Sequence, residues 1–192
     1  MAFPRSGTVD TQTYSGTKDF AFARLNTTQS TNVANGDHLK FDTIDIARGG
    51  VGDASGAGAK SGGSISVDTT TTYATTIGAA SIGRVTVQGG KVYKLTCNPS
   101  YALFSGATGV VSLQWFDVTS GSGTALGIPM QILPVTQTSN DNNGNGQLET
   151  FYSPGGSSAD LFLLEVRILS PTALTSFASS TKGQATILVE TY

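Results

Sequence analysis

Few side chains in this sequence can move a proton, attack a carbonyl or hold a metal. His38 is the only histidine and Cys97 the only cysteine. One imidazole cannot build a His-rich metal site. No G-x-S-x-G elbow accompanies it, so the pattern of an activated serine is missing. His38 follows Gly36-Asp37 in a turn entering a strand, which reads as structural or solvent-facing. Cys97 stands in an alternating apolar run, where a buried thiol is expected, and alone it forms no internal disulfide. Asp42 and Asp45 are three apart on one predicted strand, so they point to opposite faces unless a bulge intervenes. The glycine-rich stretch 49–63 has no P-loop match and no following helix, so a phosphate cradle lacks a basis. No catalytic residue is assigned, and the expectation is that the chain is not an enzyme.

One loop imitates a calcium site. Counting from Asp141, oxygen donors fall at positions 1, 3, 5 and 9, namely Asp141, Asn143, Asn145 and Glu149, with Gly146 at position 6. That is the opening of an EF-hand loop, but position 12 is Tyr152 where a bidentate Glu belongs, and no helices flank it. These four residues are the only metal candidates, set against a solvated hairpin loop, and no cofactor is assigned. Trp115 alternates with Leu113 and Val111 and reads as core. The remaining aromatics are too scattered to define a sugar-binding platform.

The scarcity of reactive groups follows from the composition. Charged residues make up 12% of the 192 residues, and Ser, Thr and Gly exceed a third of the chain. Thr favours strands and Gly favours turns, and neither builds long helices. The net charge of −2 comes without a basic block, so a nucleic-acid partner is not expected. No apolar run approaches the ~20 residues that span a bilayer, so no membrane partner is expected either. The opening MAFPRSG lacks the apolar core of a secretory signal, which points to synthesis in a reducing cytoplasm.

Residues 1–19 carry no core of their own and read as an extended N-terminal arm, either a disordered leader or a partner-binding arm with Phe3, Pro4, Arg5 and Tyr14 as isolated anchors. Residues 20–192 form one domain of short strands. Strands are predicted over 20–25, 39–46, 64–67, 71–77, 82–87, 91–97, 110–118, 127–133, 147–152, 160–170 and 184–192. Gly89-Gly90 suggests a hairpin between its flanking strands, and Pro129 and Pro134 put 127–133 at an edge. In 160–170, Phe162, Leu164, Val166 and Ile168 line one side. Leu161, Leu163 and Leu169 line the other, interrupted by Glu165 and Arg167. A strand apolar on both faces belongs inside a packed or oligomeric structure. The whole pattern is all-β, most simply a jelly-roll β-sandwich.

The order of segments resembles a family. Residues 20–25 (FAFARL) and 36–42 (GDHLKFD) precede a glycine-rich stretch and Ile65-Ser66-Val67. Val87-Gln88-Gly89-Gly90-Lys91-Val92-Tyr93-Lys94-Leu95 resembles the glycine-then-tyrosine strand of C1q/TNF-like jelly rolls. Residues 111–117 (VSLQWFD) and 184–189 (QATILV) are similar to the next strand and the closing strand. Within that family the chain looks most like the capsid decoration, or head-stabilising, proteins and fibre tips of tailed bacteriophages. The resemblance implies a homotrimer on the capsid exterior of the virion, partnered by the major capsid protein of a phage head. Two alternatives stay open: a receptor- or glycan-binding tip of a head or tail fibre, and a self-assembling coat subunit. Family calcium sites are not carried over, because no matching acidic cluster occurs here.

Overall fold

The computed structural model describes residues 18–25, 29–30, 35–48, 52–53, 64–69, 82–99, 101–103, 111–132, 146–169, 174–177 and 185–192. Strands in these residues run β1 (Phe20–Arg24), β2 (Gln29–Ser30), β3 (Thr43–Arg48), β4 (Gly52–Asp53), β5 (Ile65–Val67), β6 (Val85–Gln88) and β7 (Tyr93–Asn98). They continue as β8 (Tyr101–Leu103), β9 (Val111–Asp117), β10 (Thr124–Ile132), β11 (Leu148–Tyr152), β12 (Leu161–Leu169), β13 (Leu174–Phe177) and β14 (Thr186–Thr191). The expected strand at 71–77 and the arm anchors Phe3, Pro4, Arg5 and Tyr14 lie outside the described residues, as do Asp141, Asn143 and Asn145.

A five-stranded sheet in the order β11-β7-β14-β1-β3 faces a six-stranded sheet in the order β10-β9-β12-β6-β5-β4, and a small third sheet pairs β2, β13 and β8. All pairings are antiparallel except β4 with β5. The all-β sandwich expected from the sequence is what forms. Its core draws alternate residues from both sheets, as the two-residue period of a strand dictates. Ala21, Ala23, Leu95, Ile187 and Val189 come from the five-stranded sheet; Val85, Val87, Leu164, Val166 and Ile168 come from the other. Trp115, Tyr93 and Phe41 are the largest fully buried side chains. Each buried side chain of this kind contributes about 1.5–3 kcal/mol by leaving water. The buried Trp115 and Cys97 agree with the sequence reading.

Two expectations about the strands come out differently. Residues 82–87 and 91–97 were to form a hairpin, but β6 pairs with β5 and β12 while β7 pairs with β14 and β11. The Gly89-Gly90 turn therefore carries the chain from one sheet to the other. A tight glycine turn fixes only the reversal of direction, and here the strands separate to opposite layers. Gly89 lets the turn pack closely: a Cβ on it would lie 2.5 Å from Ser157 O and 2.6 Å from Gly155 O. Tyr93 braces the crossing. Its hydroxyl donates to Gln88 O at 2.9 Å and accepts from Gln88 N–H at 3.1 Å, five residues upstream.

The other case is 39–46, of which only Thr43–Arg48 is strand. Residues 36–39 run beside β12 where β6 has ended, with Gly36 N–H on Ile168 O at 2.8 Å and Leu39 N–H on Val166 O at 2.9 Å. The chain then crosses the core through Leu39 and Phe41, both fully buried, and joins β1 as Asp42 N–H reaches Arg24 O at 3.1 Å. The alternation of Leu39 and Phe41 is thus that of a crossing segment. Gly83, at φ +84°, makes room for it, since a Cβ there would meet Leu39 O and Phe41 N at 2.5 Å.

Residues 127–132 of the apolar run lie in β10, at the edge of the six-stranded sheet as the prolines suggested. Its register with β9 shifts between Leu126 and Met130. The shift pushes Ile128 out to 84% exposure. β12 occupies the middle of the same sheet, between β9 and β6.

Candidate interaction surface

The outward face of the five-stranded sheet is built from the residues that alternate with its core positions. In β1 the alanines point inward, so Phe20 and Phe22 point outward. Register then lays out two rows across the sheet. One runs Phe20, Glu190, Lys94, Phe151; the next runs Phe22, Leu188, Thr96, Glu149. At the end of β14, Tyr192 meets Phe151 edge to face, with ring centroids 5.2 Å apart and planes at 79°. Lys18 Nζ sits 5.3 Å from the Tyr192 ring centroid. Phe151 is 53% exposed and Tyr192 76%. Large aromatics outside and alanines inside invert the usual arrangement of a half-buried strand. The apolar positions form two patches, Phe20, Phe22 and Leu188 on one side and Phe151 with Tyr192 on the other, with Glu190, Lys94 and Thr96 between them, and exposed aromatics of this kind mark a contact surface.

Polar groups lie between and beside these patches. Lys94 and Glu149 pair at 2.9 Å across β7 and β11, and the hydrogen bond that Lys94 donates to Glu149 holds its ammonium above the usual range. Arg24 pairs with Asp45 at 2.9 Å beside β3. At the Tyr192 pole, Asp19 anchors the root of β1. Its N–H donates to Thr191 Oγ1 at 3.0 Å, and its carboxylate accepts from Ser64 and lies 3.5 Å from Lys91 Nζ. Ser64 and Lys91 give the sequence no signal of this role, because it depends on three distant segments meeting.

The residues singled out for chemistry do not assemble. Asp45 sits where the β1–β3 register shifts, and Asp42 lies before β3, buried and hydrogen-bonded by Thr43. Asp42 thus lies outside the strand and a bulge falls at Asp45, so the simple alternation expected to set the two carboxylates on opposite faces does not apply. Cys97 is fully buried, and desolvation pushes its thiol far above the ordinary range. Glu149, the described member of the calcium candidates, is engaged with Lys94. Among the described residues no group of three or more His, Cys, Asp or Glu side chains is placed to hold a metal, and no helix is long and apolar enough to cross a membrane.

His38 is structural. Its Nε2 lies 2.8 Å from Ile82 O and its Nδ1 3.7 Å from Glu165 Oε2. Glu165, on the outer side of β12, is only 2% exposed because Arg84 Nε (2.7 Å) and Arg167 Nε (2.6 Å) close over it. Burial would raise its carboxyl, but the hydrogen bonds from Arg167 and Arg84 outweigh this and hold it below the usual range. Arg167 also stacks on Phe116 at 4.7 Å. The interruption of the apolar strand by Glu165 and Arg167 is visible in the sequence; the partner Arg84 is not.

No protein-family model and no curated protein matches the chain. The fold has clear relatives among solved structures. Eiger TNF from S. frugiperda superposes with a TM-score of 0.56 at 13% identity, over 91% of this chain and 92% of that one. Murine APRIL follows at TM-score 0.49 and 13% identity, covering 90% and 98%. The globular domain of zebrafish complement 1qA follows at 0.39 and 8%, covering 91% and 95%. The fold is a jelly-roll β-sandwich like that of Eiger TNF, the fold that the segment order suggested.

Proposed function

We propose that the chain is a non-enzymatic virion structural protein: a homotrimer that binds the outside of a phage head and stabilises it. The observation that carries the self-association is the outward placement of Phe20, Phe22 and Leu188, and of Phe151 with Tyr192, on the five-stranded sheet. Aromatics in such a position act as interface anchors. The family resemblance of the segments supports three copies and the capsid partner. A chain only 12% charged suits a role of packing against protein rather than nucleic acid. Three-fold repetition lets weak lattice contacts add by avidity.

Light scattering of the purified chain tests the assembly. The expected mass is three times the 19.7 kDa chain. Phe151→Ser combined with Tyr192→Ser changes only exposed side chains, and it weakens association by roughly 1,000-fold if each aromatic supplies about 2 kcal/mol. A wild-type monomer at high concentration refutes the trimer. Co-sedimentation with heads built from the capsid protein of the same phage tests the partner. Binding to cells or sugars without binding to heads replaces this reading with that of a fibre tip.

A further inference from the structure

We propose that Asp117 is a positioning residue of the interaction surface: from the six-stranded sheet it grips Tyr152 and so fixes the edge strand β11 that presents Phe151. This rests on the reading of Phe151 as a contact residue in self-association.

β11 ends the order of the five-stranded sheet and pairs with β7 alone. A strand held by one ladder opens more readily than a central one, so its other attachments decide how firmly it sits. They come from the facing sheet. Gly127, in β10, packs so close to Thr150 that a Cβ on it would lie 2.5 Å from Thr150 Oγ1. Tyr152 alternates with the outward Phe151 and therefore turns inward, in step with the buried Leu148. Its hydroxyl donates to Asp117 Oδ2 at 2.5 Å, and its ring meets Phe162 edge to face at 6.3 Å.

Asp117 is itself braced. It ends β9 in step with Leu113 and Trp115, so it points toward the other sheet. Its Oδ1 accepts from Thr119 N–H at 2.9 Å and from Thr119 Oγ1 at 2.5 Å. Thr119 Oγ1 in turn accepts from Leu163 N–H of β12 at 2.9 Å. One carboxylate oxygen is thus tied to its own sheet, and the other takes the hydroxyl from the opposite sheet. Burial would raise the Asp117 carboxyl, but the hydrogen bonds from Thr119 and Tyr152 outweigh this and hold it below the usual range. Burial and the neighbouring carboxylate push the Tyr152 phenol up. At neutral pH the acceptor is therefore charged and the donor neutral, a pairing about twice as strong as one between neutral groups.

The effect reaches the surface through one peptide unit. Phe151 is held from outside by the Tyr192 ring at 5.2 Å and from inside through its neighbour Tyr152. Without the hydroxyl, this end of β11 keeps its ladder to β7 and the Phe162 ring but loses its charged anchor. A contact residue that is already ordered loses less freedom on association, and so binds more tightly.

Tyr152→Phe tests this in the full chain. It removes only the hydroxyl, and Asp117 keeps both bonds from Thr119. A dilution series followed by light scattering should show the dissociation constant rising roughly tenfold. In a Phe151→Leu background the same change should have little further effect, because its influence passes through the Phe151 ring. Amides shared by β11 and β7 should exchange several-fold faster, while those shared by β9 and β12 keep their rates. Equal weakening in both backgrounds would make Tyr152 a general stabiliser and overturn the proposal, as would unchanged exchange along β11. A wild type that stays monomeric strikes the self-association reading and the role of Asp117 with it. A wild type that assembles, with Tyr152→Phe assembling equally well, strikes the role of Asp117 alone.

Discussion

Replacing Tyr93 by phenylalanine removes one oxygen atom from the place where the two sheets are tied. The ring stays, so the core volume hardly changes. The hydroxyl donates to Gln88 O at 2.9 Å, lies 3.3 Å from Ser64 O, and accepts from Gln88 N–H at 3.1 Å. Gln88 N–H keeps a second acceptor in Ser64 O at 3.1 Å, so no donor is orphaned. The loss is then that of one buried hydrogen bond, about 1–1.5 kcal/mol. For a chain of this size each kcal/mol lowers Tm by about 2–4 °C, giving a drop of roughly 2–6 °C at neutral pH. Circular dichroism melts read this directly. The alkaline limb adds a second signature. Desolvation, the main influence, raises the Tyr93 phenol above its ordinary 10.0 against the opposing hydrogen bonds to Ser64 and Gln88. The fold therefore favours the protonated phenol, and that contribution is present below 10.0 and fades as the pH rises through the folded value. The advantage of wild type over Tyr93→Phe should shrink on that limb. An unchanged neutral Tm, with a difference that stays flat into alkali, would refute Tyr93 as the brace of the crossing.

Gly89→Ala should cost about 1–3 kcal/mol, because the new Cβ would lie 2.5 Å from a backbone carbonyl that cannot swing away; an unchanged urea midpoint would argue that the 153–160 loop yields freely. Cys97 should resist thiol reagents in the native protein and react promptly in denaturant, since burial keeps it protonated; fast native labelling would contradict the packed core.

Strands were legible wherever burial on one face imposed a two-residue period. β12, β9 and β7 fall within a residue or two of their sequence bounds because Leu164, Val166, Ile168, Leu113, Trp115 and Leu95 all serve one core. The sandwich class followed from these. What could not be read was which layer each strand joins. Gly89-Gly90 has the same local chemistry whether its strands pair or part, and the decision lies with Ser64, Ser157 and Tyr93. The interaction surface was partly visible, since Phe20 and Phe22 alternate. That they face outward is decided by Ala21 and Ala23 fitting inside. The Arg84–Glu165–His38 cluster needed three distant segments and left only the charges of β12 as a trace.

The order of the five-stranded sheet constrains how the chain can acquire this shape. β14, the last strand along the sequence, lies at its centre, with β1 on one side and β7 on the other. Asp19 and Thr191, which bond to each other, are 172 positions apart. During synthesis β1 and β7 thus wait with open edges until residues 186–191 leave the ribosome, and the sheet closes by insertion rather than by growth at an edge. Such long-range closure is slow, and the waiting edges are where nascent copies would pair wrongly. A premature stop before β14 would therefore leave two half-sheets with no common middle.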